Sequence, residues 1–470
     1  MESDATTIAE KLKAKTWTSE EVVTTYIEHI KKANPLINAM VEDRFDEAIA
    51  EAKQFDELNR KGKKPTGRLA GVPISVKESF HVANMKTTGG LEHRQDLIAR
   101  EDAHVIEKLR NEGAIILGKT NTSTLCYSQE TDNKLYGRTN NPWNLNHTAG
   151  GSSGGEGALL AVGGAAVGIA SDIGGSIRFP SHFNGVVGFK PGMHQVSSNG
   201  HYPKMSQALQ ERMLGIGPMG KSVRDMELVY RIISDSSPAS NDLREYNIEM
   251  LTDQINYPLS ESMKNIMREI KEFLDQITFT KLGIPPLFDE SALLWQEIMS
   301  LDGSAAIERE AYNIDRSPVI RSYVKEKLTK KTKVHPQLSW AILGSKLFRP
   351  SKKRIREINE TIARGDEWLD DYLKNRLLVF PVYHTAAPVH GQVFKEMFSI
   401  RKTFLLYMPY VAYANVWGLP ALTLPVGKDK NGMPVSIQIM SAVGNESAIF
   451  RLGSIIEKKF NGYVRCKRLD

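Results

Sequence analysis

The sequence predicts an α/β protein, and the order of its patterns indicates this class. Residues 72–77 (VPISVK) and 114–117 are β-rich runs, and a helical pattern over 102–111 separates them. Near the end of the chain, β character returns at 420–426 and 435–439. Strands that alternate with helices are typical of a sheet covered by helices. With 470 residues, the chain is long enough for one large domain or for two.

The amino-terminal segment carries the clearest helix signals. Thr18 and Glu21 have the spacing of a capping box, which marks the start of a helix. Apolar residues then follow at helical intervals: Val22, Val23, Tyr26, Ile27 and Ile30. We expect Asn34-Pro35 to end this helix, residues 36–41 to form a short strand and the alanine-rich run 45–58 to form a second helix.

The middle of the chain differs in character from both ends. Residues 240–400 are rich in lysine and mostly helical in pattern, and Pro285, Pro286 and Pro350 interrupt them. We therefore predict a helical insertion at about 240–400, with the α/β core formed by residues 60–235 and 405–470.

Composition narrows the classes of protein. Apolar residues make up 41% of the chain and charged residues 25%, as in soluble globular proteins. Two distant cysteines, Cys126 and Cys466, give no disulfide framework, so we expect a reducing, cytoplasmic location. Residues 1–17 lack the apolar run of a secretory signal or a membrane span. The eleven histidines show no metal-ligand spacing, and we predict no metal and no cofactor.

The net charge of the chain is +6, and its excess of basic residues lies in one segment. Between residues 321 and 356 the only acid is Glu326, against twelve basic residues: Arg321, Lys325, Lys327, Lys330, Lys331, Lys333, Lys346, Arg349, Lys352, Lys353, Arg354 and Arg356. Such a segment attracts nucleic acid or anionic lipid, although basic runs are more often solvated helix faces. Few aromatic residues interrupt it, which gives no support for stacking on bases.

The run SDIGGSIRFP (171–180) makes Ser176 a candidate nucleophile. It does not match the G-x-S-x-G pattern of the usual serine hydrolases. Residues 151–155 do match that pattern and nominate Ser153, but the polar residues 144–148 before it are a poor buried strand. No Gly-Lys-Ser/Thr follows the glycines, so a phosphate-binding loop is disfavoured as well.

A relay without histidine explains the pattern better. Ser152 and Ser176 lie in glycine-rich segments, where substrate and backbone approach closely. The successive amides of residues 173–176 (Ile173, Gly174, Gly175 and Ser176) form a candidate oxyanion hole. Lys77 lies in an apolar strand, where burial favours the neutral amine, and Ser152 can then pass a proton from Ser176 to Lys77.

Three segments together resemble the amidase signature family. They are GVPISVKE (71–78), GGSSGGEGAL (150–159) and SDIGGSIRFPSHFNGVVGFKP (171–191), in the family's order and spacing. The resemblance covers most of the chain outside about 240–400. It implies a single α/β domain spanning 1–470, with a mixed central β-sheet flanked by helices. It also implies a Ser-Ser-Lys triad, with Ser176 as nucleophile, Ser152 as bridging serine and Lys77 as base.

Within that family, the motifs look most like those of the fatty acid amide hydrolases. The A subunits of tRNA-dependent amidotransferases usually carry Thr where this chain has Ile173 and Gln where it has Phe179. By alignment of the motifs, Cys126 and Tyr127 fall where the hydrolases line the acyl-binding site. We expect both residues to contact substrate.

These observations predict an amidase that acts through an acyl-enzyme on Ser176. A glutamine amidase subunit of a tRNA-dependent amidotransferase is the first alternative, and a nucleic-acid-binding protein using residues 321–356 is the second. For the amidase we expect a small-molecule amide as substrate, no membrane span and no nucleic acid. A homodimer is left open.

Overall fold

A computed structural model describes residues 1–63, 66–236, 242–313, 319–398 and 405–470. Its strands are β1 (Met40–Asp43), β2 (Pro73–Lys77), β3 (Ile115–Thr120), β4 (Asn140–Asn141), β5 (Asn144–Thr148), β6 (Val167–Asp172), β7 (Val187–Lys190), β8 (Gly215–Gly220), β9 (Asn247–Leu251), β10 (Thr280–Gly283), β11 (Arg376–Pro381), β12 (Ala421–Lys428) and β13 (Pro434–Met440).

Helices flank these strands along the whole described chain. They are α1 (Ala5–Lys13), α2 (Ser19–Ile37), α3 (Phe45–Arg60), α4 (His104–Asn111), α5 (Gly154–Ala161), α6 (Arg178–Asn184), α7 (Ala208–Met213), α8 (Val223–Ile233), α9 (Glu261–Asp275), α10 (Ser291–Met299), α11 (Ala305–Tyr312), α12 (Val319–Thr329), α13 (Pro336–Leu347), α14 (Lys352–Leu373), α15 (Gln392–Phe398), α16 (Pro409–Val416) and α17 (Glu446–Phe460).

Eleven strands form one mixed sheet in the order β1-β3-β2-β6-β8-β7-β12-β13-β11-β9-β10. Strands β3, β2 and β6 are parallel to one another, as are β11, β9 and β10, whereas the strands between these two groups pair antiparallel. The sheet has helix pairs packed on it, α5 with α6 and α8 with α17. Every residue of β2 and β6 is therefore buried. The polar side chains of these two strands have hydrogen-bond partners in the fold, as buried polar groups require. The predicted mixed sheet flanked by helices is confirmed.

The segment 240–400 contains more than the predicted helices. It holds helices α9 to α15, and it also contributes β9, β10 and β11 to one edge of the same sheet. The description of this segment as a helical insertion is corrected to that extent. The three strands are short and lie between long lysine-rich helices, so their alternation contributes little to the sequence pattern of the segment.

Pro35 does not end the first predicted helix. The capping box at Thr18 and Glu21 is present, but α2 continues through Pro35 to Ile37. The helix ends at Asn38, which is left-handed with φ 48° and donates its backbone N–H to the carbonyl of Asn34. A proline in the last turn costs one helical hydrogen bond. Beyond the helix end, the side chain of Asn34 accepts from the N–H groups of Ala39 and Met40.

A small second apolar cluster lies beside the main core. Helices α11, α12 and α13 form it with Leu91 and Leu125, and Tyr127 and Tyr202 pack against it. Among the described helices, none is both long and apolar enough to cross a membrane.

Candidate active site

Two neighbouring parallel strands bring the predicted base and the glycine-rich loop together. Lys77 is the last residue of β2 and Asp172 is the last residue of β6, and Val76 pairs with Ile169 in the register. The carboxyl ends of parallel strands meet at one edge of a sheet, where loops commonly form binding sites. Lys77 and the loop that begins at Ile173 therefore share this edge.

Lys77 is fully buried and contacts two hydroxyl groups. Its Nζ lies 2.7 Å from Ser152 Oγ and 3.0 Å from Ser171 Oγ. Ser152 stands just before the first turn of α5, after Gly150, whose φ of +78° favours glycine. The predicted pair of Lys77 and Ser152 is thus in direct hydrogen-bonding contact.

Burial dominates the electrostatics of the lysine. It lowers the pKa of Lys77 below its ordinary value, although contact with the Cys126 thiol and the charges of Asp172 and Glu156 act in the opposite direction. Burial also raises the pKa of Glu156 to about 7, despite hydrogen bonds from Ser75 and Thr120. Burial therefore shifts Lys77 toward the neutral amine, which is the form that can accept a proton.

An ion pair holds the loop that follows β6. Arg178 and Asp172 are both fully buried and make a two-pronged contact with N···O distances of 3.0 Å. Burial alone would raise the pKa of Asp172, but the charge and hydrogen bonds of Arg178 hold it well below the usual range. The same carboxylate accepts the backbone N–H groups of Gly175 (2.8 Å) and Ile177 (3.1 Å). Asp172 therefore shapes the loop and stays ionised.

The peptide orientations correct one part of the predicted oxyanion hole. We expect Gly175 from its sequence position to aim its N–H at substrate, but that N–H points to Asp172. The carbonyl of Gly175 accepts from Phe179 N at 2.7 Å, as the first turn of α6 requires. Because a trans peptide is planar, the N–H of Ser176 in the same peptide points in the opposite direction, away from α6. Ile173, Gly174 and Ser176 remain the candidate donors.

Two residues that the sequence did not predict hold the same loop from outside. Trp295 Nε1 donates to the carbonyl of Ile173 at 2.7 Å, and Gln129 Nε2 donates to that of Gly174 at 3.3 Å. A Cβ at Gly174 would lie 2.5 Å from the Trp295 ring, which explains the glycine there. The Ile173 carbonyl and the Gly174 N–H belong to one planar peptide and point in opposite directions. The hydrogen bond that holds the carbonyl toward Trp295 therefore turns the Gly174 N–H away from Trp295.

Replacing Trp295 by Phe tests this orientation. The variant keeps a ring beside Gly174 and loses the hydrogen bond to Ile173, so kcat should fall about fivefold with little change in KM, since one hydrogen bond contributes about 1 kcal/mol. Trp143→Phe is the matched control, because the Trp143 indole also donates to a backbone carbonyl, that of Asn184 at 2.9 Å. An equal loss in both variants would mean that Trp295 acts only through stability.

A small pocket opens over these groups. Its lining includes the polar residues Ser152, Ser171, Ser176 and His201, together with Cys126, Tyr127 and Ile173. The remaining lining residues are apolar: Leu125, Pro203, Met205, Leu214 and Met299. The pocket lining therefore combines hydroxyl-bearing and apolar side chains.

The predicted substrate neighbours and the rejected nucleophile occupy different environments. Cys126 and Tyr127 both line the pocket, and the Tyr127 hydroxyl lies 3.1 Å from Ser304 Oγ. Ser153 is buried, and its hydroxyl donates to the backbone carbonyl of Ser171 at 3.4 Å. Strand β5 before it is only partly buried and pairs with β4 outside the large sheet, so Ser153 does not stand on a nucleophile elbow.

Part of the basic segment is neutralised within the fold. Lys346 pairs with Glu308 at 2.6 Å, and Arg354 pairs with Glu297 at 2.9 Å.

Among the described residues, no group of three or more His, Cys, Asp or Glu side chains is arranged to hold a metal ion.

The chain is similar to known amidases over most of its length. The family model described as Amidase matches residues 21–450. Fatty-acid amide hydrolase 2-B of Danio rerio is 32% identical over 484 residues, covering 98% of this chain and 90% of that protein. A glutamyl-tRNA(Gln) amidotransferase subunit of Clostridium acetobutylicum is 30% identical over 476 residues, covering 94% of this chain and 95% of that protein.

A solved structure shows the same fold. The peptide amidase of Stenotrophomonas maltophilia superposes with a TM-score of 0.80 at 23% identity, covering 99% of this chain and 98% of that one. The family match spans both the strands that carry Lys77 and Asp172 and the loop that carries Ser176. This chain belongs to the amidase family, the amidase signature hydrolases that act on amide C–N bonds.

Proposed function

We propose that this amidase cleaves its substrate through an acyl-enzyme on Ser176, with Ser152 and Lys77 as the proton relay. The observation that carries the proposal is the buried contact of 2.7 Å between Lys77 Nζ and Ser152 Oγ, at a pocket that Ser176 also lines. The lowered pKa of Lys77 supports it, because a neutral amine at the end of the relay can take up a proton.

The chemistry then balances in two half-reactions. Ser176 Oγ bonds to the amide carbonyl carbon, its proton passes to Ser152, and the Ser152 proton passes to Lys77 Nζ. The carbonyl oxygen takes the electron pair and accepts hydrogen bonds from loop amides. Return of the proton to the nitrogen breaks the C–N bond and releases the amine. Water then attacks the acyl-enzyme by the same relay and frees the acid and Ser176.

The pocket lining supports an apolar acyl group. Leu125, Met205, Leu214 and Met299 form a wall without charged side chains, and the Danio rerio relative carries the name of a fatty-acid amide hydrolase. Burial of apolar substrate surface against such a wall contributes about 25 cal/mol per Å². We therefore place amides of apolar carboxylic acids ahead of small polar amides as substrates.

The amidotransferase alternative rests on relatives of similar identity, such as the one from Clostridium acetobutylicum. Two residues near the proposed nucleophile distinguish the amidase from the amidotransferase subunit. Ile173 stands in the loop, and Phe179 stands in α6, where it is fully buried and its ring packs against the rings of Phe183 and Tyr383. A glutamine at that position would bring a polar side chain into this apolar contact. The amidase remains the better proposal.

A single reagent tests the proposed nucleophile. We expect a fluorophosphonate to label Ser176 alone, as mapped by peptide mass spectrometry, and the isolated chain to hydrolyse apolar acyl amides without any partner protein. Label on Ser153 would contradict the assignment. Activity that appears only when the other components of an amidotransferase are added would favour the alternative.

A further inference from the structure

The proposed relay leaves one close neighbour of Lys77 without a role. Ser171 Oγ lies 3.0 Å from Lys77 Nζ, and on its other side it lies 2.9 Å from His201 Nε2. Both residues are buried and line the same pocket as Ser152 and Ser176. A chain of contacts therefore runs from His201 through Ser171 to the base.

A hydroxyl beside a neutral amine can help it or compete with it. The amine has one lone pair and two N–H groups, and a serine hydroxyl can donate or accept. If Ser171 donated its proton to Nζ, it would occupy the lone pair that has to receive the proton of Ser152. The function of Lys77 as a base thus depends on where the Ser171 proton points.

We propose that His201 is a positioning residue, whose Nε2 accepts the Ser171 proton and so keeps the lone pair of Lys77 directed at Ser152. Ser171 Oγ then accepts one N–H of the amine. The proposal rests on the relay of Lys77, Ser152 and Ser176 described above, and it assigns His201 no contact with the reacting atoms.

The surroundings of His201 fit this role. Burial and the charge of Lys77 lower the pKa of His201 to about 3, so the ring is neutral and has an acceptor nitrogen at neutral pH. The ring packs edge-on against Phe80 with centroids 5.0 Å apart, and the backbones of the two residues form a β-bridge. Cys126, which also contacts Lys77, carries only a weakly donating thiol. Ser171 is therefore the stronger competitor for the lone pair.

The test compares single and double variants by their rate of fluorophosphonate labelling at Ser176. His201→Phe keeps a ring against Phe80 but has no acceptor, and we expect labelling about 10- to 100-fold slower, a range typical of impaired proton transfer. His201→Gln, whose amide oxygen can accept, should stay within about threefold of the wild type. His201→Phe combined with Ser171→Ala should recover to within about threefold of Ser171→Ala alone, because the competing hydroxyl is gone.

Rescue by the second substitution separates positioning from packing, since removing a hydroxyl cannot repair a badly packed ring. His29→Leu is the control for loss of a buried histidine, because His29 Nε2 lies 2.8 Å from the Val162 carbonyl. His201→Leu provides a second variant if the Phe protein does not fold. Wild-type labelling rates in His201→Phe or His201→Leu, or no rescue in the double variant, would overturn the inference alone. A wild-type chain that the fluorophosphonate never labels at Ser176 would overturn the proposed function as well.

Discussion

Ser176→Ala should abolish amide hydrolysis, with a loss of kcat/KM on the order of 10⁵-fold. Without its hydroxyl there is no acyl-enzyme, and water cannot reach the same geometry with the same proton relay. Ser152→Ala should lose less, about 10²- to 10³-fold, because proton transfer contributes roughly that much and a water molecule can partly replace a bridging hydroxyl. Steady-state kinetics on one apolar acyl amide measures both.

Ser153→Ala is the matched control for these variants. Ser153 neighbours Ser152, is equally buried, and donates only to the Ser171 carbonyl. We expect its activity to stay within about tenfold of the wild type, since it loses one long hydrogen bond. Equal and total loss in Ser152→Ala and Ser176→Ala would refute the division between relay and nucleophile, and total loss in Ser153→Ala would restore the nucleophile-elbow hypothesis.

Lys77→Met should be inactive and yet at least as stable as the wild type at pH 7. The variant keeps the length of the side chain and removes the base from the relay. The pKa of Lys77 is lowered in the fold, whereas the unfolded chain keeps its proton up to about pH 10.4. Between these two pKa values the unfolded state binds more protons, so the wild type gains up to about 1.4 kcal/mol of stability per pH unit relative to the variant as pH rises.

The advantage of Lys77→Met should therefore shrink as pH rises and become constant above about pH 10.4. Denaturant melts of both proteins at several pH values measure it, and the contributions of other titrating groups cancel in the difference. Lys221→Met is the control: burial lowers the pKa of Lys221 to about 7, and its Nζ bonds the Tyr26 hydroxyl at 2.9 Å, outside the pocket. It should keep activity. A Lys77→Met protein that is clearly less stable at pH 7 would show that Lys77 is charged and paired.

The sequence was sufficient to predict the α/β class and the residues Lys77, Ser152 and Ser176 as candidates. Their local signals are an apolar strand that ends in lysine and serines within glycine-rich runs, and the resemblance of three segments to one family is what made them candidates. Parallel strands bring the ends of β2 and β6 to one edge. The loop before α5 places Ser152 in contact with Lys77 there, as the proposed relay requires. The segment 240–400 is harder to predict, because its three edge strands are only four to six residues long.

Only the tertiary structure decided how the loop and the base are held. Trp295 contacts Ile173 across 122 residues of chain, Gln129 contacts Gly174 across 45, and His201 contacts Ser171 across 30. The sequence misassigns Gly175 as an oxyanion donor for the same reason, because its N–H donates to Asp172, whose carboxylate Arg178 also holds. Periodicity and motifs report on neighbours along the chain, whereas the direction of an N–H or a lone pair depends on partners that folding brings together.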